Sequence, residues 1–328
     1  MKPTFHARLV NSPFEDPCLY VRLLRERRAF MFDIGNVSRL SPRSLLRVTD
    51  LFVSHTHIDH FIGFDSLLRV CLRRESPLRV FGPSNMIDAV EGKLRGYSWN
   101  LIHEYPLRLE VFAIDGRVVH RAGFNAESSF KKIDMGVASF SGIVLEETGF
   151  RVRAETLNHD IPCLAYTLEE DIHINIDKSA LAERGLPVGP WLSELKRAIR
   201  EALPDDTLFK AGEREITLSK AKEIALITKG QKLSYVTDAS PDEENIKKII
   251  DMVRGSDSLF IEAYFLGADY ERAVQRNHLT ARLAGRIARE AGVKNLNLMH
   301  FSPKYKDNPE SLVQEAMSEW RPDLITSG

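Results

Sequence analysis

The stretch His55-Thr56-His57-Ile58-Asp59-His60 follows the apolar run Leu51-Phe52-Val53 and supplies three imidazoles and one carboxylate within six positions. The chain holds ten histidines in 328 residues, so three this close together are a concentration that chance placement seldom produces. A strand ending in such a cluster places several metal ligands at one rim of a sheet. Histidine nitrogen mixed with carboxylate oxygen suits first-row divalent metals, zinc above all. Two ligand sets interleave here. His55 and His57 are two apart and point the same way on an extended segment. Asp59 and His60 lie past the bend where Ile58-Asp59-His60-Phe61 is expected to begin a helix, and can face a second metal. That is the local geometry of a two-metal hydrolytic site. The plainer alternative is a polar loop with scattered histidines.

The composition is that of an ordinary globular protein, with 43% apolar and 28% charged residues. The length allows one large α/β domain or a domain with an inserted lobe. A formal net charge of −1 means that a polyanionic partner must be met by a local patch. Cys18, Cys71 and Cys163 are far apart with no C-x-x-C, and read as small buried hydrophobes in a reducing compartment. Met1-Lys2-Pro3-Thr4-Phe5-His6-Ala7-Arg8 is not followed by the apolar core of a signal peptide. No run approaches the ~18 apolar residues of a membrane span. The expectation is a cytoplasmic protein with no membrane partner.

Strand-like and helix-like segments alternate along the chain. Residues 18–24 and 29–32 read as a hairpin around the charged turn Arg25-Glu26-Arg27-Arg28, and Asp33-Ile34-Gly35-Asn36 breaks the second strand. Residues 61–73 have helical spacing, with Phe61, Phe64, Leu68 and Leu72 on one face. Residues 107–123 read as a hairpin turning at Asp115-Gly116. Residues 232–237, 258–263 and 296–299 look like central strands, with helices over 242–254 and 279–291 between them. The segment 177–217 fits this rhythm poorly. It carries Gly185-Leu186-Pro187-Val188-Gly189-Pro190-Trp191, then a helix with Leu192, Leu195 and Ile199 on one side and Lys196, Arg197 and Arg200 on the other.

Three more chemical residues stand where a strand meets a loop: His159 in Leu157-Asn158-His159-Asp160, Asp238 in Tyr235-Val236-Thr237-Asp238-Ala239, and His300 in Leu298-Met299-His300-Phe301. One sheet edge can collect them all with His55. His55, His57 and His159 can hold one metal, and Asp59, His60 and His300 the other. Asp238 can bridge, because its charge offsets the close approach of two cations, typically ~3.5–4 Å apart.

These residues resemble the H-x-H-x-D-H pattern of metallo-β-lactamase-fold hydrolases, and within that group the ribonuclease Z family of tRNA 3′-end endonucleases. Asp59-His60-Phe61-Ile62-Gly63-Phe64-Asp65-Ser66-Leu67-Leu68 is similar to the family's helix after the metal motif. Asn277-His278-Leu279-Thr280-Ala281 resembles its His-Ser-Thr motif, and His300-Phe301-Ser302-Pro303-Lys304-Tyr305 its final His-Phe-Ser-x-x-Tyr motif. The Gly-Pro-rich stretch from Gly185 resembles the family's tRNA-gripping arm. The resemblance covers about residues 15 to 305. It implies a four-layer αββα sandwich, a single domain over 1–328 with an arm-like insertion at 177–217, two divalent ions (zinc, or manganese), a homodimer, and precursor tRNA or another RNA as partner.

It also implies roles. Asp59 orients a metal-bridging hydroxide and accepts its proton. His278, paired with Glu262, protonates the leaving 3′ oxygen. Ser302 and Lys304 bind phosphate, and Lys196 and Arg197 on the arm helix meet RNA. Arg272, Arg276, Arg282, Arg286 and Arg289 offer either a phosphate surface or a solvated, ion-paired face.

Three stretches depart from the family. Phe260-Ile261-Glu262-Ala263-Tyr264 has Ile261 and Tyr264 where the His-Glu-Ala-Thr motif has histidine and threonine. The expectation is that Ile261 leaves a metal-site carboxylate without a supporting donor, that Ile261→His restores it, and that Tyr264, three residues on, faces the other way. Asn36-Val37-Ser38 follows Asp33-x-Gly35 in place of acidic and glycine residues, and residues 126–150 fit the family poorly. Two other functions stay open: a small-molecule hydrolase of the same fold acting on a phosphodiester, thioester or lactam, and an inactive RNA-binding relative.

Overall fold

The computed structural model describes residues 4–24 and 26–321. Arg25 of the expected hairpin turn and the first three residues of the N-terminal stretch lie outside the described residues. Among the described residues, eight strands form one sheet in chain order: β1 (Phe5–Leu9), β2 (Leu19–Leu23), β3 (Ala29–Phe32), β4 (Val48–Phe52), β5 (Leu78–Pro83), β6 (Arg108–Asp115), β7 (Val118–Asn125) and β8 (Ile133–Ser139). The β3–β4, β4–β5 and β5–β6 pairs are parallel and the others antiparallel.

The second sheet contains β9 (Ile143–Glu147), β10 (Phe150–Asn158) and β11 (Pro162–Glu170). Between β11 and its next strand the chain builds β12 (Ile172–Ile176), β13 (Leu208–Ala211), β14 (Arg214–Thr217) and β15 (Ala225–Lys229). It then returns through β16 (Lys232–Val236), β17 (Ser258–Glu262) and β18 (Leu296–Met299), giving the six-stranded order β18-β17-β16-β11-β10-β9. β8 and β9 occupy residues 126–150, which the family pattern did not explain; they supply one edge strand to each sheet.

Strand alternation builds the layers. Phe30 and Phe32 of β3 and Phe52 of β4 face the second sheet, joining Tyr166, Tyr235 and Phe260 from it in one apolar cluster. Within that cluster, rings stack from strand to strand: Phe32 on Phe52 at 5.0 Å, Phe52 on Phe81 at 4.9 Å, and Phe81 on Phe112 at 4.6 Å. Ala29, Met31, Leu51 and Val53 face the opposite way, towards the helices α1 (Pro42–Leu45), α2 (Ile58–Phe61), α3 (Phe64–Cys71) and α4 (Met86–Arg95).

The continuous helix expected over 61–73 is two helices. Gly63 stands between them because its N–H donates to the Ile34 carbonyl at 2.8 Å and a Cβ there would lie 2.1 Å from the Gly35 oxygen. The inserted segment holds α5 (Lys178–Glu183), α6 (Trp191–Arg200) and α7 (Leu218–Lys222) around its own apolar cluster, which includes Trp191, Leu195 and Phe209. It spans 172–229, wider than 177–217, because β12 and β15 pair at its base. Against the second sheet pack α8 (Glu243–Val253) and α10 (Ala281–Glu290), with α9 (Tyr270–Arg276) before α10 and α11 (Glu310–Trp320) closing the described chain. The result is the αββα sandwich.

Candidate metal centre and active-site cleft

Parallel strands deliver the site. In open α/β sheets the crevice beyond the carboxyl ends of the strands is where ligands bind, and β3, β4, β16, β17 and β18 end together there. Asp33 and His300 directly follow the last residue of such a strand, Asp238 stands two residues past one, and all three are left-handed, with φ of 52°, 54° and 49° in that order. A bent exit at each strand end turns the side chain inward. Non-glycine residues adopt this conformation only where surroundings enforce it.

The structure gathers all seven residues expected as ligands. One ligand atom each from His55, His57, His159 and Asp238 lies within 4.8 Å of the others, and the same holds for Asp59, His60 and His300. Asp238 stands between the sets: its Oδ2 is 3.6 Å from both His55 Nε2 and His60 Nε2 and 3.4 Å from His159 Nε2. His300 Nε2 lies 3.5 Å from Asp59 Oδ2. His55 Nε2, His60 Nε2 and His300 Nδ1 are buried without a hydrogen-bond partner, although His300 Nδ1 approaches Asp238 Oδ1 to 2.9 Å out of hydrogen-bond geometry. Buried polar atoms are normally satisfied, so orphaned nitrogens converging on carboxylates mark a cradle for cations. The N/O donor set fits divalent metal ions.

The electrostatics agree. Burial, then the neighbouring His60, pushes the His55 imidazole down to about 2, so that its lone pair stays available. Burial likewise lowers His57. Burial opposes charge on His60 and His300, but Asp238 overcomes it and holds both well above the ordinary range. Burial also opposes ionisation of Asp59, yet the His300 and His60 imidazoles beside it keep that carboxyl far below the usual carboxylate value.

A second ring of residues fixes the first. Asp33, which the sequence presents only as a strand breaker, is fully buried and accepts from Ser54 N (2.6 Å), Ser54 Oγ (2.8 Å), His60 Nδ1 (2.8 Å) and Tyr235 Oη (2.7 Å). It sets the ring of His60. His159 Nδ1 donates to the carbonyl of Asn277 at 2.7 Å, and Asn277 is itself the left-handed cap of α9 (φ 56°). The only sequence signals for these partners were Asp33-x-Gly35 and the asparagine before His278.

His278 Nδ1 donates to Glu262 Oε2 at 2.8 Å, and Glu262 Oε1 accepts from Ala239 N and Leu279 N at 2.9 and 3.0 Å. Tyr264 covers the His278 ring face to face, 3.9 Å away and tilted by 6°. His57, Asp59, Tyr264, His278, Arg272 and Arg276 all line one cleft of about 430 Å³.

The structure corrects several expectations. Ile261 does not face the metal ligands; it is fully buried in the apolar cluster under α8 and α10. β17 ends at Glu262, so Tyr264 does not follow strand alternation and turns into the cleft instead of away from it. Lys196 is 6% exposed and lines a cavity of about 210 Å³ between the insertion and the body, so its ammonium is not on an outer surface, whereas Arg197 is exposed. Lys304 Nζ is held by both oxygens of Asp269 at 2.6 Å, and Ser302 caps the turn that follows it while lining the cleft. Arg282, Arg286 and Arg289 pair with Glu315, Glu290 and Glu319, the ion-paired alternative. Only Arg272 and Arg276 of that group reach the cleft.

No family model matches the chain. Among curated proteins it is 29% identical over 307 residues to ribonuclease Z of Deinococcus radiodurans, covering 92% of this chain and 91% of the relative. It is 28% identical over 314 residues to ribonuclease Z of Treponema denticola, covering 94% and 89%. The chain is thus similar to ribonuclease Z over nearly its whole length. Solved structures show the metallo-β-lactamase fold: YhfI of Bacillus subtilis aligns at TM-score 0.56 and 14% identity over 97% of this chain and 94% of that one. The short form of human tRNase Z aligns at 0.51 and 18%, covering 92% and 93%. Against the ribonuclease Z pattern, the site departs at Tyr264, which sits in the cleft, and at Ile261, which does not.

Proposed function

We propose that the chain is a metal-dependent endoribonuclease that hydrolyses precursor tRNA at its 3′ trailer. The observation that carries this reading is the meeting, in one cleft, of the seven-residue cation cradle and the His278–Glu262 pair. The chemistry that divalent cations supply at such a cradle is a water acidified towards neutrality and relief of charge on the phosphoryl oxygens. The ligands would be His55, His57 and His159 on one side, Asp59, His60 and His300 on the other, and Asp238 between them, with zinc the preferred metal.

The chain's own groups do the rest. The Asp59 side chain is 37% exposed, so it can hold an attacking water by a hydrogen bond and take up its proton. Glu262, pinned by two backbone N–H groups, fixes Nδ1–H of His278 and leaves Nε2 to carry a proton to the leaving 3′ oxygen. Arg272 and Arg276 at the cleft can pair with phosphate. The insertion is read as the grip on the remote part of the tRNA, through exposed groups such as Arg197. A small substrate needs no such segment, which disfavours the small-molecule alternative. A cytoplasmic location and a homodimer belong to the same reading.

The deciding experiment maps the products of a precursor tRNA with a 3′ trailer, with and without added zinc or manganese. A single metal-dependent cut at the trailer junction, lost in His57→Ala and reduced ~10²–10⁴-fold or more in Asp59→Ala, supports the reading. Metal-independent cutting, or turnover of small phosphodiesters without any cleavage of the tRNA, overturns it.

A further inference from the structure

His278 is fixed at one edge by Glu262, but a hydrogen bond to one nitrogen leaves the ring free to swing about that bond. The structure places an aromatic ring where that swing would occur. The phenol of Tyr264 lies parallel to the imidazole, with centroids 3.9 Å apart and planes 6° from coincidence. Its backbone is held from three sides: Tyr264 N donates to the Leu279 carbonyl at 3.1 Å, Ser302 N donates to the Tyr264 carbonyl at 3.1 Å, and the preceding Ala263 N donates to the Met299 carbonyl at 3.0 Å. Phe265 packs edge-on against the same ring, 4.9 Å away at an interplanar angle of 69°. Tyr264 is thus a rigid plate, and a threonine, the residue of the family motif, has no ring to cover the imidazole.

We propose that Tyr264 is a positioning residue for the reaction: its ring holds the His278 imidazole at the angle that directs Nε2 to the leaving oxygen. The inference rests on reading His278 as the proton donor. Catalysis is sensitive to such placement, because a misplacement of ~1 Å can cost ~10²-fold. Tyr264 itself transfers no proton and touches no reacting atom.

The test varies the leaving group. Cleavage of RNA expels an alkoxide that needs a proton, whereas a nucleoside p-nitrophenyl phosphodiester expels a phenolate that leaves without one. Tyr264→Ala is expected to lower kcat on precursor tRNA by ~10–100-fold with little change in KM, and to leave turnover of the p-nitrophenyl ester within ~3-fold, a spread that corresponds to well under one tenfold step. Tyr264→Phe, which keeps the plate, should restore kcat on the tRNA. Should the alanine variant fail to fold, Tyr264→Thr supplies the same comparison. Equal losses on both substrates, or unchanged tRNA cleavage, overturn the proposal. His278→Ala separates it from the reading beneath: a loss confined to the tRNA substrate upholds His278 as donor whatever Tyr264 does. Equal losses on both substrates in His278→Ala would sink the donor role and the proposal with it.

Discussion

At the residue scale, Asp33 is the most heavily used carboxylate around the cation cradle, accepting four hydrogen bonds in a fully buried position. One of them sets the ring nitrogen with which His60 would bind metal. Partners of this kind are worth ~10–100-fold in metal affinity or activity. Asp33→Asn keeps the volume but removes the charge and turns one acceptor into a donor facing Ser54, His60 or Tyr235. It is expected to weaken metal binding by that factor, read by competition with a chromophoric chelator, and unchanged affinity would show that Asp33 serves packing alone. Ile261 makes the opposite case. Neighbouring residues on a strand point to opposite faces, so with Glu262 in the cleft Ile261 must face the helices. Ile261→His therefore buries an imidazole among Val236, Leu259 and Leu283. The expected result is a loss of ~1–3 kcal/mol of stability in urea melts and no gain in phosphodiesterase activity. A gain would mean that the imidazole reaches the ligands after all.

The inserted segment is the element whose removal is most informative. Ile176 and Ala225 are paired across β12 and β15, and Asp177 N donates to the Ile224 carbonyl at 2.8 Å. Replacing residues 177–224 with a short glycine-containing turn thus closes a natural hairpin and takes out the segment's apolar cluster almost whole. The shortened protein is expected to hydrolyse a small phosphodiester within ~3-fold of the intact chain, while its affinity for tRNA falls by ~10-fold or more and varies less steeply with salt. Equal losses on both substrates would make the segment a scaffold. The cavity at its root bears on that outcome, because Glu170, His173 and Arg200 form a buried polar contact between segment and body.

Legibility in the sequence divided along a physical line. His55, His57, Asp59 and His60 could be read because ligand chemistry is rare and these are contiguous. His159, Asp238 and His300 could be read because each closes a recognisable strand. Apolar periodicity located most of the central strands and helices. Asp33, Asn277 and Tyr264 could not be assigned their work, because each acts from a left-handed or loop position whose side-chain direction no periodicity encodes. β8 escaped for a related reason: all its residues are exposed, so its pattern carries no buried face to recognise. The burial of Lys196 is not encoded in the sequence either, because helix amphipathicity names a polar side without saying what packs over it.

Across the whole molecule, the seven cradle residues divide four to three: His55, His57, Asp59 and His60 follow a strand of the first sheet, and His159, Asp238 and His300 follow strands of the second. Elsewhere the sheets meet through an apolar cluster and a few polar contacts, such as Tyr235 to Asp33 and Arg28 to Glu147. A cation seated there is therefore a fastener across the seam as well as a reagent, and the two roles cannot be supplied separately. Mass action then ties folding to metal supply: at a free metal concentration ~100 times the dissociation constant, occupancy of one site adds ~2.7 kcal/mol to the native state. Scanning fluorimetry should show the melting temperature rising by several degrees from chelator to added zinc, and His57→Ala should flatten that response. Identical melts in both conditions would mean that the seam holds without the ion. If the rise is seen, metal-starved cells lose this protein twice over, first its turnover and then, through unfolding and proteolysis, the polypeptide itself.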